Sequence, residues 1–384
     1  MPAPPKFTIW FGEARAAAEL VVDHTCLRHY HCDFAQIQDQ TGEFAQNPKL
    51  IQDILYLDKP DVIVTAGRPE EPIVGVEFSA EAPSGHDCFQ RIPRVAASVE
   101  HGVPFAYLFP ERKWVERQSG GRWDQYNPLV FRVLLHISRF HGVPALGFLW
   151  PGDEQRGNPA QGRLLCAPGG TCLPASDEPR VAQVWQFVDL AVQHYVDNEP
   201  FSKMVLTEFY AQHEARMWGW YHERGGDTRE WSPLTSCDTI SGLNDLRGWV
   251  REVAGTWIPR VPDHLHHRDE SLIYHAGTTT FRSDPYAGSL IALDYLRCRN
   301  GPTRQHRFRN LVLHLPNVSI EEIVGKAQRF YERDCPLHGD AEDANLNRLY
   351  SLHLREGCRY TKQKEIRTFC AFADMIVFND GVVV

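Results

Sequence analysis

The sequence predicts an α/β protein, in which a mixed sheet is flanked by helices and followed by a second domain of α/β or α+β type. Between residues 59 and 150, short apolar runs of strand length alternate with segments whose apolar side chains recur at helical spacing. Residues 153–180 are rich in Gly, Pro and polar residues, which is typical of a connector or a long surface loop. The chain of 384 residues is long enough for two domains. We therefore assign residues 1–152 to a first domain and residues 181–384 to a second.

The segment before the first apolar run predicts mainly helix. Ala14 to Val22 is a good helix-forming stretch, and apolar residues recur at helical spacing between Leu50 and Leu57 until Pro60 ends the pattern. We therefore expect residues 14–57 to be mainly helical and to precede the strands.

Residues 59–79 predict a β-hairpin with an acidic end. Asp61 opens the apolar run 62–64, and the polar turn 66–72 leads to a second apolar run, 73–76, which is followed by Glu77. If the two runs pair in antiparallel fashion, Asp61 and Glu77 lie side by side. Two neighbouring carboxylates repel each other, and a divalent cation relieves that repulsion. Mg²⁺ suits such a pair because it takes one or two protein carboxylates and completes its shell with water and phosphate oxygens.

A helix and a third strand follow the hairpin. Gly102 predicts the end of the helix, and residues 105–109 form the next apolar run. Gln90, Arg91 and Arg94 lie near the start of the helix, where their side chains can point toward the two carboxylates. The apolar positions at helical spacing are Phe89, Ile92, Val95, Ala96 and Val99.

This order of elements, with Pro60-Asp61 on the first strand and Glu77-Phe78-Ser79 on the second, resembles the PD-(D/E)xK nuclease family. The resemblance covers residues 59–110 and includes the helix that carries Gln90-Arg91. It implies a restriction-endonuclease-like fold for the first domain. It also implies that Asp61 and Glu77 bind Mg²⁺ together with the backbone carbonyl of Phe78, and that the bound metal activates water for phosphodiester hydrolysis.

The chain departs from the family pattern at Ser79, which stands where the family has a lysine. Three explanations remain open: another residue supplies the positive charge, the metal alone activates the water, or the site is inactive. Gln90 and Arg91 are the candidates for compensation from the helix, and Glu81 is a candidate additional acid. Ser79 itself can orient a water molecule but carries no charge.

Charge restricts how this chain could contact DNA. The formal net charge of −9 argues against a surface that is basic all round, although basic residues gathered along one groove remain compatible with a nuclease. One arginine cluster lies in the second domain, and it is either a solvated loop or a set of phosphate contacts. Its members are Arg297, Arg299, Arg304, Arg307 and Arg309.

A second acidic pair is present near the same arginines. Asp284 and Asp294 flank the apolar segment 290–293. They form either a second metal site or ordinary structural contacts, with Asp284 opening a turn at Pro285 and Asp294 at a strand end. We favour the structural interpretation because no further acid or lysine follows at a helpful spacing.

Taken together, these patterns and the resemblance predict a Mg²⁺-dependent double-stranded DNA endonuclease of the type II restriction kind. A homodimer follows if both strands are to be cut, and a restriction-type function implies a cognate methyltransferase as a partner, which no sequence feature reveals. The alternatives are a catalytically inactive DNA-binding protein of the same fold and a metal-dependent hydrolase of RNA or another phosphodiester. The sequence contains no apolar run of about 20 residues, the length that crosses a bilayer, and no basic-then-apolar N-terminal stretch. We therefore expect a cytoplasmic location without membrane contact.

Overall fold

The computed structural model describes residues 5–39, 43–79, 91–115, 122–150, 164–166, 172–174, 180–228, 236–254, 265, 268–275, 308–319, 350–352, 364–371 and 373–384. The chain divides into two compact units, Met1–Arg229 and Glu230–Val384. Each unit contains a mixed six-stranded sheet accompanied by helices, which confirms the predicted α/β class. Among the described residues, no helix is both long enough and apolar enough to cross a membrane.

The first unit contains ten strands and six α-helices within its described residues. Several short 3-10 turns connect them. In chain order the elements are β1 Lys6–Phe11, α1 Arg15–His24, β2 His31–Gln36, α2 Lys49–Ile54, β3 Val62–Ala66, β4 Glu71–Phe78, α3 Ile92–Glu100, β5 Phe105–Pro110, β6 Arg112–Val115, β7 Arg122–Gln125, α4 Leu129–His141, β8 Ala145–Trp150, β9 Leu164–Cys166, β10 Cys172–Pro174, α5 Ala182–Val196 and α6 Glu208–Glu223.

The large sheet of the first unit has the strand order β2-β1-β3-β4-β5-β8. Strands β1, β3 and β4 pair in antiparallel fashion, whereas β4, β5 and β8 are parallel. Parallel strands need a crossover, and α3 and α4 provide it between β4 and β5 and between β5 and β8. The carboxyl ends of β4, β5 and β8 therefore meet at one edge of the sheet, and β3 begins at that same edge.

Helices cover both faces of this sheet, as the continuous burial of β3, β5 and β8 requires. Helices α3 and α4 pack against each other and on β5 and β8. Helices α1 and α5 pack against each other and on β1 and β4. Helix α3 begins at Ile92 with Pro93 in its first turn, where proline costs no hydrogen bond, and α4 ends at Gly142 with a φ of 68°.

Two features of the first unit differ from the sequence predictions. The segment 14–57 contains the strand β2 besides helices, and β1 precedes it. Residues 181–229 belong to the first unit and not to the second, because the apolar faces of α5 and α6 pack on its sheet: Phe187 contacts Phe148 of β8, and His213 donates to the carbonyl of Gly147. Most of the predicted connector 153–180 lies outside the described residues, and the described part includes the β9–β10 pair.

The second unit has its own sheet, with the strand order β11-β12-β13-β15-β16-β14. Strands β12, β13 and β15 are parallel, and β15 and β16 form an antiparallel C-terminal hairpin, as the Asp380-Gly381 dipeptide between two apolar runs also predicts. The elements are β11 Ser236–Ser241, α7 Leu243–Ala254, β12 Glu270–His275, β13 Arg309–Leu315, β14 Tyr350–Leu352, α8 Lys364–Cys370, β15 Met375–Phe378 and β16 Gly381–Val383.

Candidate functional site

The β3–β4 hairpin brings Asp61 and Glu77 together at the sheet edge. Val62 pairs with Val76, so Asp61 and Glu77 occupy the next position of the ladder. The Asp61 backbone N–H donates to Glu77 Oε2 at 3.2 Å, and the Phe78 backbone N–H donates to Asp61 Oδ2 at 2.8 Å. Each carboxylate is thus held against the backbone of the opposite strand, which fixes the pair in one orientation.

Two arginines at the start of α3, its N-cap Arg91 and Arg94 in its first turn, reach the buried carboxylate of Glu77. Arg94 Nη1 and Arg91 Nε both pair with Glu77 Oε1, the latter at 3.2 Å. Arg94 Nε also pairs with Asp58 Oδ2 at 3.0 Å, so its guanidinium bridges two acids. The Glu77 side chain is 1% exposed, that of Arg94 11% and that of Arg91 30%. Arg94 is therefore the inner cation of the site, and Arg91 lies nearer the solvent.

Among the described residues, the site carries more negative than positive charge. Three carboxylates, those of Asp58, Asp61 and Glu77, meet two guanidinium groups. Burial raises the pKa of Asp61 to about 7, and repulsion by Glu77 adds to the rise, although Arg94 and the Phe78 N–H oppose it. The pKa of Arg94 is raised because its three acidic neighbours outweigh the effect of burial. Besides burial, the excess of negative charge therefore raises the pKa of Asp61 in particular.

Ser79 occupies the end of the same strand. The residue is buried, and its backbone N–H donates to the carbonyl of Leu108 on β5 at 2.8 Å. Its neutral side chain adds no charge to the pocket. The positive charges beside Glu77 come from α3 instead.

The neighbouring strand β1 approaches the site closely. The Gly12 N–H donates to the carbonyl of Asp61 at 2.9 Å, and a Cβ at Gly12 would lie 3.0 Å from the carbonyl oxygen of Pro60. A side chain at this position would press on the backbone that carries Asp61. The small residue thus lets β1 buttress the acidic hairpin end.

The donor set is compatible with Mg²⁺, which binds hard oxygen ligands and keeps several waters. Asp61 and Glu77 offer carboxylate oxygens, and the Phe78 carbonyl is the adjacent backbone oxygen. The high pKa of Asp61 marks a carboxylate whose charge the two arginines do not balance, and a divalent cation would supply the missing charge. Within the described ranges, no group of three or more His, Cys, Asp or Glu residues is arranged as a preformed metal cage.

The remaining predicted residues divide into two groups. Arg309 is described, and its Nε pairs with Glu270 Oε2 at 2.7 Å while its guanidinium lies over Phe308. Its contact with DNA stays a prediction. The others lie outside the described residues: Glu81, Gln90, Asp284, Asp294, Arg297, Arg299, Arg304 and Arg307.

Sequence reasoning gave too little weight to two residues of the site. Arg94 lies three positions after Arg91, and residues three apart share one face of a helix. The spacing therefore indicated that Arg94, like Arg91, could contact the acids. Asp58 is different. It lies in the turn before β3, and no spacing rule connects it with a side chain of α3.

The chain was compared with protein-family models, with curated proteins and with solved structures. None of these comparisons finds a match.

Proposed function

We propose that the first unit is a Mg²⁺-dependent phosphodiesterase of the PD-(D/E)xK type that cuts double-stranded DNA. The observation that carries the proposal is the pairing of Asp61 and Glu77 at the end of β3–β4, beside arginines from the following helix. The chain order β3, β4, α3 and β5, in which β3 and β4 are antiparallel and β4 and β5 are parallel, supports the proposal because the resemblance rests on the same order of elements.

Each residue of the site has a separate role in phosphodiester hydrolysis. Asp61, Glu77 and the Phe78 carbonyl would hold the metal, which would lower the pKa of a water molecule and stabilise charge on the phosphate. The attacking water gives up one proton as its oxygen bonds to phosphorus, one ester P–O bond breaks, and the departing oxygen takes up a proton to leave as an alcohol. Arg91, the more exposed arginine, donates to a phosphate oxygen as negative charge builds up on it. Arg94 orients Glu77.

Plasmid DNA and Mg²⁺ provide the direct test. The wild-type protein should produce discrete fragments, and the Asp61→Asn and Glu77→Gln variants should produce none while keeping the wild-type circular dichroism spectrum. Asp23→Asn is the matched control, because Asp23 is an exposed acid on α1. Equal cutting by wild type and a folded Asp61→Asn variant would remove this site from the mechanism.

A second candidate function, a DNA-binding protein without catalysis, is favoured by one observation. Both arginines engage Glu77 Oε1, and Ser79 leaves the usual lysine position uncharged. The same experiment separates the two, since a mobility shift without any cleavage in Mg²⁺ identifies the DNA-binding protein.

A restriction-type nuclease that cuts both strands needs two copies of the site, so the nuclease proposal includes a homodimer. Sedimentation in the presence of DNA tests whether two copies assemble.

A further inference from the structure

A pocket of about 210 Å³ lies near the carboxyl end of β8, outside the acidic site. Leu149 of β8 forms one wall, and Arg180 and Gln183 come from the start of α5. Arg216 and Trp220 lie one helical turn apart on α6 and form the opposite wall. The lining thus combines two cations, an amide, an indole ring and an aliphatic side chain.

The register of the sheet gives the distance between the acidic pair and Leu149, one wall of the pocket. Glu77 of β4 pairs with Tyr107 of β5, which pairs with Gly147 of β8. Leu149 therefore stands two strands away and two residues further along. With about 4.8 Å per strand and about 3.3 Å per residue, Leu149 lies roughly 12 Å from Glu77. With a rise of about 3.4 Å per nucleotide, that span corresponds to roughly three to four nucleotides of one DNA strand.

Two arginines bring positive charge to the pocket, in contrast to the acidic site. Arg180 pairs with Glu111 Oε2 at 3.4 Å, and Arg224 pairs with Glu111 Oε1 at 3.3 Å. In the part of the chain that the structure describes, Arg216 pairs with the side-chain oxygen of Gln183 and with no carboxylate. Among the described lining residues, two are cations and none is an acid, a combination that suits an anion.

We infer that this pocket binds a backbone phosphate of the nucleic acid strand, roughly three to four nucleotides from the bond that the acidic site cuts. Arg216 and Arg180 donate to the phosphate oxygens, and the indole ring of Trp220 contacts the sugar. The inference rests on the proposed function, because only a polymer reaches both sites at once. It adds a positioning subsite that holds the strand in register with Asp61 and Glu77.

The test measures DNA affinity against salt concentration, with fluorescence anisotropy of a short fluorescein-labelled duplex in EDTA. Two duplexes of unrelated sequence are used, since a phosphate contact weakens binding to both alike. The variants are Arg216→Ala and the double variant Arg180→Ala/Arg216→Ala. Lys203→Ala is the charge-matched control, because Lys203 lies beyond the far end of α5, about 20 Å along the helix axis from Arg180.

Each lost phosphate contact should reduce the slope of log K against log salt by about 0.9. We expect a reduction of about one for Arg216→Ala and about two for the double variant, with the Lys203→Ala slope unchanged. Arg216 is exposed, so its replacement should leave the melting curve unchanged, and Arg216→Gln repeats the test with a neutral side chain closer in size. If both variants keep the wild-type salt slope, the pocket does not bind a phosphate, and the proposed function is unaffected. Failure of the wild-type protein to bind either duplex would overturn the proposed function as well.

Discussion

Replacement of Arg94 by methionine tests the charge balance of the acidic site directly. Methionine keeps much of the apolar stem of arginine but removes the guanidinium, which leaves Glu77 and Asp58 without their shared partner. Breaking a buried ion pair by removing one member costs about 3–5 kcal/mol. Arg91 still contacts Glu77, so we expect the lower end of that range, about 3 kcal/mol, for Arg94→Met in EDTA.

Arg91→Met is the matched control. Arg91 contacts the same Glu77 oxygen, but its side chain is 30% exposed, and partly exposed ion pairs contribute about 0–1 kcal/mol. We therefore expect a loss of no more than about 1 kcal/mol. A similar cost for both variants would show that Arg94 is not the inner cation that balances the site.

Urea denaturation followed by tryptophan fluorescence measures both variants, in EDTA and in Mg²⁺. The two units can unfold separately, so the relevant transition is the one whose midpoint Mg²⁺ shifts. Mg²⁺ should stabilise Arg94→Met more than it stabilises the wild type, because the variant site holds one more uncompensated negative charge. An equal or smaller Mg²⁺ effect in the variant would refute the assignment of a cation site to these carboxylates.

Three further predictions concern the first unit. The pKa of Asp61 is about 7 against an ordinary 3.8, so its ionisation weakens the metal-free fold as pH rises. In EDTA, the stability of Asp61→Asn relative to wild type should therefore increase by roughly 2–3 kcal/mol between pH 5 and pH 8, and an equal stability difference at both pH values would contradict this. Burial lowers the pKa of His213 to about 4, so stability should fall by up to about 3 kcal/mol as pH drops from 6.5 toward 4, and in urea titrations His213→Gln, which can still donate to Gly147, should lose this dependence. A Cβ at Gly75 would lie 2.6 Å from the Phe105 ring, so Gly75→Ala should cost about 1–3 kcal/mol, and an unchanged urea midpoint would show that the ring moves aside freely.

The sequence predicted the acidic hairpin because all of its signals are local. The two apolar runs are short, the turn residues between them are polar or conformationally special, and the acids stand at matching ends. Next to the turn, Ala66 pairs with Glu71, a register that would place Asp61 opposite Val76. An irregularity between Val64 and Thr65 shifts the pairing by one residue, so that Val62 meets Val76 and Asp61 meets Glu77. The local signals therefore predicted the hairpin and its acidic end, whereas they did not predict the one-residue shift that aligns the two acids.

Other features depend on tertiary contacts that sequence periodicity does not encode. Strand β2 is an edge strand with the sequence HCDFAQ and half-exposed residues, so it lacks the apolar run that marks a buried strand. The apolar faces of α5 and α6 were visible, but an apolar face does not state which sheet it covers. The domain boundary therefore fell at residue 181 in the sequence analysis and at residue 230 in the structure.

A comparison within the chain shows why the acid-before-strand pattern alone does not define a site. Asp374 precedes the apolar strand β15 as Asp61 precedes β3. Asp374 Oδ1 pairs with Arg268 at 3.2 Å, and its Oδ2 accepts from the Leu311 N–H at 2.8 Å, in surroundings where both side chains are almost fully buried.

The decisive difference is the residue that the neighbouring strand places alongside. Beside Asp374 the adjacent strand presents Leu311, whereas beside Asp61 it presents Glu77. One acid facing an arginine in a closed environment is a structural ion pair. Two acids at an edge where parallel strands end, with a raised pKa on one of them, leave a charge that the two described arginines beside them do not fully neutralise. That excess charge, and not the strand motif, is the physical reason to expect a cation at Asp61 and none at Asp374.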